Sequence, residues 1–128
     1  MSTIDVANIT DGTDTVATGY VINGSAKFWV NFNGSGTVVI RDSFNMSSLT
    51  DNGTGNYSGN FASNMSATTY SVVSGISESN TGGVAHCSVG DDYTTSDFLM
   101  LTSNVAGGNA NNLTDYKFVQ TAVNGELA

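Results

Sequence analysis

The stretch from Ala26 to Tyr57, AKFWVNFNGSGTVVIRDSFNMSSLTDNGTGNY, decides the fold. Phe28, Val30 and Phe32 alternate with Lys27, Trp29 and Asn31, so an extended chain places three large apolar groups on one side and a mixed set on the other. Asn33-Gly-Ser-Gly36 offers positive-φ positions at little steric cost, and the β-branched run Thr37-Val-Val-Ile40 carries the chain back, predicting a hairpin. Asp51-Asn-Gly-Thr-Gly55 contains an Asn-Gly pair that favours a primed turn, and it separates Ser47–Thr50 from Tyr57–Phe61. Two hairpins in succession predict the start of a β-meander.

Outward from this stretch the same grammar repeats. Thr68–Ser74 is rich in strand formers, and the glycines at 75, 82 and 83 flank a polar loop, Ser77–Thr81. Val84–Val89 reads as a strand ending at Gly90, Asp91–Asp97 as loop, and Phe98-Leu-Met-Leu101 as a strand covered on both faces. Asn104–Asn112 is a Gly- and Asn-rich connection before a last strand at Tyr116–Val123. Seven or eight short strands at this spacing predict an all-β, antiparallel β-sandwich over residues 26–128. Residues 1–25 alternate weakly (Ile4, Val6, Ile9, Val16, Tyr20, Ile22) and read as an extended arm for attachment or for clasping a neighbouring subunit.

Composition limits the function classes. The chain has 128 residues, enough for one domain that buries roughly two thirds of its unfolded surface. Only 11% of residues are charged and none is Pro, so hydroxyls and amides must keep it in solution. A net charge of −8 opposes phosphate-backbone ligands, which argues against DNA or RNA as partners. No twenty-residue apolar run and no Sec-type leader is visible, so neither membrane insertion nor classical secretion is expected. A single Cys forbids an internal disulfide.

The run KFWVNFNGSGTVVIRDSFNMSSLTDNGTGNYS, with the closing Gly125-Glu-Leu-Ala128, resembles a small domain that ends many tail-fibre-like virion proteins of phages infecting marine bacteria. The family pattern is Ala-Lys-x-Trp-x-Asn-Phe-x-Gly-x-Gly-Thr, then Arg-x-Ser-Phe-Asn, then Ser-Ser-x-Thr-Asp-Asn-Gly-Thr-Gly-x-Tyr. It is matched closely from Ala26 to Phe61 and loosely beyond. The resemblance implies a virion protein, assembled in the host cytoplasm and exposed on the particle exterior, and a homotrimer. It brings no catalytic residues with it. Such domains usually follow a longer tail-docking part, whereas about 25 residues precede the motif here.

No enzyme is expected. The only His and the only Cys, His86 and Cys87, are adjacent, so on a strand they point to opposite faces and cannot act as base and nucleophile. His86 at a threefold axis is a conceivable metal ligand, and Asp91, Asp92 and Asp97, or Asp51 with Asn52, conceivable Ca²⁺ ligands. None of these sets has a complete metal-loop spacing, and turn Asp residues ordinarily cap their own backbone, so no metal or cofactor is assigned. Carboxylate-pair glycan cleavage is disfavoured because no repeat period of a polysaccharide-cradling solenoid is present.

Two roles follow. One is a peripheral fibre or tail-appendage module acting in host-surface attachment, whose loops, with Asn33, Asn52, Tyr57, Asn80, Asp92 and Tyr93, face a host glycan or protein. The other is a capsid decoration protein, in which the arm grips the shell. A secreted glycan-binding module ranks below both. Trp29, on the polar side of its strand, is expected at a subunit interface with Val39 and the Phe98, Leu99, Met100 and Leu101 run, and Trp29, Tyr57 and Tyr93 are candidates for stacking on sugar rings.

Overall fold

A computed structural model describes residues 2–77, 84–105 and 112–128. The protein is all-β and antiparallel, with two sheets packed face to face. In the four-stranded sheet the order is β4 (Val39–Phe44), β3 (Ala26–Asn33), β11 (Phe118–Asn124) and β7 (Ser71–Ser77). In the five-stranded sheet β9 (Asp97–Val105) lies between β8 (Val84–Tyr93) on one side and, on the other, β6 (Asn56–Phe61) followed along the strand by the short β10 (Asn112–Leu113). β5 (Met46–Gly53) pairs with β6 at the edge. Eleven strands are described, against the seven or eight expected; the surplus is β10 and two strands in the N-terminal segment, β1 (Asn8–Thr10) and β2 (Thr15–Ala17).

Both hairpins predicted from the deciding stretch form: β3 pairs with β4, and β5 with β6. They do not make a meander. Between them the chain changes sheets at Asn45, which takes a left-handed conformation with φ 54°. Its side chain holds that corner: Nδ2 donates to the carbonyls of Lys27 (2.9 Å) and Ser63 (3.1 Å), and Oδ1 accepts from the Ser63 N–H (2.7 Å). Asn tolerates this conformation better than other non-glycine residues, and here its side chain bonds across the corner to segments 18 residues away on either side.

The sandwich core is the predicted face of β3, with Phe28, Val30 and Phe32 all buried, closed by Tyr57 and Phe61 from β6, Phe98 and Met100 from β9, and Val119 and Val123 from β11. Phe28 meets Phe61 and Phe98 edge-on at 5.3 and 5.2 Å, and Phe61 stacks on Phe98 at 5.5 Å. These geometries suit the ring quadrupoles and contribute beyond area burial. The side-chain period of two thus survives in every central strand, which is why β9, apolar throughout its first half, buries Phe98 and Met100 and leaves Leu99 and Leu101 half-covered on the outer face.

Two ties close the ends. At one, the Tyr57 hydroxyl donates to Asp115 Oδ1 (2.7 Å) and lies 3.1 Å from the Gly34 carbonyl, while the same Asp115 oxygen accepts from the Gly55 N–H (2.7 Å). Gly55 sits at φ 63°, and a Cβ there would stand 2.4 Å from the Thr102 carbonyl oxygen, so the motif requires glycine for both conformation and space. At the other end Met65 bridges to Leu127, and the Ala128 N–H donates to the Asn64 carbonyl at 2.9 Å, so the closing Gly-Glu-Leu-Ala is stitched to the connection after β6.

The N-terminal segment differs from the extended arm expected. β1 and β2 pair into a small hairpin, followed by a short helix α1 (Thr18–Gly24). None of its described residues is buried, so it has no core of its own and none shared with the sandwich. Its root is fixed by Lys27, whose ammonium donates to the Ile22 carbonyl and to the carbonyl (2.8 Å) and hydroxyl (2.7 Å) of Ser25.

Candidate functional site: the outer face of the four-stranded sheet

With Phe28, Val30 and Phe32 turned inward, the register of the four strands dictates what faces out. Phe44 lies opposite Trp29, Trp29 opposite Ala122, and Ala122 opposite Val73, so one apolar row crosses the whole sheet. Its members are open to solvent: Phe44 is 53% exposed, Trp29 36% and Val73 63%. One pair further along, the row is Asp42, Asn31, Gln120 and Gly75. A shallow groove of about 440 Å³ runs here, walled by Trp29 and Val73 and floored by Asn31, Gln120 and Gly75.

Arg41 borders this groove. Its guanidinium stands 4.2 Å above the Phe118 ring, and it donates to Asn31 Oδ1 (3.2 Å) and to the Lys117 carbonyl (2.6 Å). Arg41 is the extra residue where the β3–β4 register shifts between Asn31 and Phe32. A bulge re-aims a side chain, and here it lays a cation across the sheet instead of along its edge. The face therefore combines an aromatic and aliphatic strip, the side-chain amides of Asn31 and Gln120, and one held positive charge. Such a surface offers apolar contact area and hydrogen-bonding groups together.

The residues expected to act are placed as follows. Trp29 and Val39 are exposed, Val39 on the edge strand β4 at 52%. Phe98 and Met100 are fully buried in the sandwich and are withdrawn as interface residues, because the inner face of β9 is consumed by the opposite sheet; Leu99 and Leu101 stay on the outside, half-covered, with Leu99 lying over Gly90. Tyr57 is likewise withdrawn as a receptor-facing or sugar-stacking residue: it is 0% exposed, packed edge-on against Phe32 at 4.9 Å, and burial beside Asp115 pushes its hydroxyl pKa far up. Tyr93 is half-buried, its ring 5.1 Å from Tyr70.

Asn33 and Asn52 spend their amides on their own loops. Asn33 Nδ2 donates to the Ser35 carbonyl at 2.8 Å, and Asn52 Nδ2 to the Ser58 hydroxyl at 2.8 Å. Asp92 is exposed, and Asn80 lies outside the described residues. Asp91 and Asp92 belong to β8 and not to a loop, since that strand runs past Gly90 to Tyr93, and Asp97 opens β9; among the described residues no three His, Cys, Asp or Glu side chains gather as a metal would need. His86 is exposed while Cys87 packs against the core from the opposite face, where burial pushes its thiol pKa up and a hydrogen bond to Ser74 pulls it partly back.

Sequence reasoning missed Phe44, Val73, Ala122 and Gln120 as partners of Trp29, and Asp115 altogether. Alternation about Trp29 predicts an outward face, but which strands flank β3 is set by long-range pairing with β11 and β7, and no local signal carries that. No described helix is long and apolar enough to cross a membrane. Comparison with protein-family models, with curated proteins and with solved structures finds no match.

Proposed function

We propose that this chain is a non-enzymatic structural module of a phage particle, carried on the virion exterior as a peripheral fibre or tail-appendage protein that acts in host-surface attachment, and that it works as a homotrimer. The observation that carries the reading is the exposed row Phe44–Trp29–Ala122–Val73 beside a shallow groove, on a sandwich tied at both ends by hydrogen bonds. An apolar strip of this kind on a protein so poor in charge suits adhesion, since exposed aromatics supply large contact area at low entropic cost. The resemblance of Ala26–Phe61 to the terminal domains of tail-fibre-like proteins supports the same role. The separation of His86 from Cys87 across a strand supports a function without covalent catalysis.

Decoration of the capsid is the second reading. It is favoured by the N-terminal segment, whose exposed Ile4, Ile9, Tyr20 and Ile22 suit a grip on a larger surface. Antibody labelling of intact particles under the electron microscope separates the two. Label at fibre ends, with tens of copies per particle, is the expected result. Label across the head lattice in hundreds of copies replaces it with decoration, and absence of the chain from purified particles refutes both.

A further inference from the structure

Two surfaces of this chain are each incomplete. Residues 2–25 form a hairpin and helix with no buried residue, although Ile4 is 86% exposed, Tyr20 77% and Ile22 56%. A unit this short cannot bury a core alone; domains below about 40 residues need a metal, a disulfide or a partner, and none of the first two is available from its Asp, Thr and Gly-rich sequence. Its own sandwich does not cover it. The second incomplete surface is the Trp29 row.

The charges of the two surfaces match. The segment carries Asp5, Asp11 and Asp14 and no Lys or Arg before Lys27. Of the three basic residues in the chain, Lys27 is used at the root of the segment, and Arg41 lies on the outer face of the four-stranded sheet, over Phe118 and bonded to Asn31. An acidic apolar segment and an apolar face that carries the Arg41 guanidinium are complementary in apolar character and at that cation, with Asp42 the carboxylate that a docked segment must keep clear of. The ammonium of Lys27 fastens the end of α1 at Ile22 and Ser25, so the segment is rooted at the start of β3.

We propose that the outer face of the four-stranded sheet is the docking site for the N-terminal segment, residues 2–25, of a second copy of this chain. Ile9, Tyr20 and Ile22 of one copy cover Trp29, Phe44 and Val73 of the next, and Asp5 and Asp14 approach Arg41. Asp11 takes less part, because its Oδ1 already accepts the Thr13 and Asp14 N–H groups at 3.0 and 2.9 Å. Contacts of this head-to-tail kind close into a ring or propagate as a filament, and a ring of three is the form that matches the homotrimer proposed above. The inference rests on the homotrimer of that reading, gives the Trp29 face to contact between copies and leaves host contact to other surfaces, and does not depend on where the particle carries the protein, so particle labelling and the solution test below fail independently.

The test uses the full chain. Light scattering is expected to give a multiple of the 13.2 kDa chain mass, with amides of residues 4–22 protected from hydrogen exchange and Trp29 shielded from acrylamide quenching. Ile9→Ser with Ile22→Ser, both at exposed positions, should raise the concentration for half-assembly by at least about tenfold while leaving the melting temperature of the sandwich unchanged. Arg41→Glu alone, and Asp5→Lys with Asp14→Lys alone, should each dissociate, and a chain that carries all three changes should reassociate. Four results overturn the proposal: protection of residues 4–22 in a species of single-chain mass; assembly that survives Ile9→Ser/Ile22→Ser with Trp29 still shielded, which means sheet on sheet; failure of the chain with all three charge changes to recover; and a monomer whose Trp29 fluorescence is titrated by maltohexaose, which assigns the groove to a neutral sugar.

Discussion

Replacing Asp115 with Ala should cost about 3 kcal/mol of folding stability. One carboxylate oxygen accepts two hydrogen bonds of 2.7 Å, from the Gly55 N–H and the Tyr57 hydroxyl, and both donors belong to buried residues. A hydrogen bond to a charged acceptor is worth about 1.5–3 kcal/mol, and orphaning a buried donor adds the cost of its lost hydration. Two such bonds give about 3–6 kcal/mol, but Tyr57 keeps the Gly34 carbonyl at 3.1 Å as a second acceptor, which returns about 1–2 kcal/mol. Tyr57→Phe removes only one donor and leaves the Gly55 bond in place, so about 1.5 kcal/mol is expected from it. Because the two changes delete the same bond, the double variant should fall short of the sum by about 1 kcal/mol or more. Urea unfolding followed by far-ultraviolet circular dichroism measures all four corners of the cycle, and a fall of about 10 °C in Tm for Asp115→Ala should accompany the larger loss. An Asp115→Ala protein within about 0.5 kcal/mol of the parent, or strict additivity with Tyr57→Phe, would refute the claim that this tie holds the end of the sandwich.

Other outcomes follow from the same geometry. Gly55→Ala should cost at least about 3 kcal/mol, because the left-handed backbone and a Cβ only 2.4 Å from the Thr102 carbonyl oxygen act together; a variant with parental Tm would show that the turn repacks freely. Stability should fall in alkali: burial pushes the Tyr70 hydroxyl pKa up to about 12 and raises those of Tyr57 and Tyr116, so the unfolded chain releases these protons first, and the stabilisation present below pH 10 is lost as pH climbs from 10 toward 12. Urea midpoints that stay flat from pH 9 to 12 would contradict that sign. Neither EDTA nor millimolar Ca²⁺ should move the Tm, since Asp91, Asp92 and Asp97 lie spread over two strands; a rise of several degrees with Ca²⁺ would reinstate a metal loop.

What the chain wrote locally was legible without coordinates. Alternation about Trp29 identified Phe28, Val30 and Phe32 as core, and the glycine-punctuated turns set the two hairpins and the antiparallel class, because side-chain period and turn chemistry act over only a few residues. Tertiary structure alone decided the rest. Asn45 sends consecutive hairpins into different sheets, Asp115 reaches across 58 residues of chain to Tyr57, and β11 and β7 line up Ala122 and Val73 beside Trp29. It also reversed Tyr57, Phe98 and Met100 from surface to core, since the inner face of a strand is known only once the sheet that covers it has been placed. Pairing between strands far apart in sequence depends on the summed burial of the whole sandwich, and no short window of residues encodes that sum.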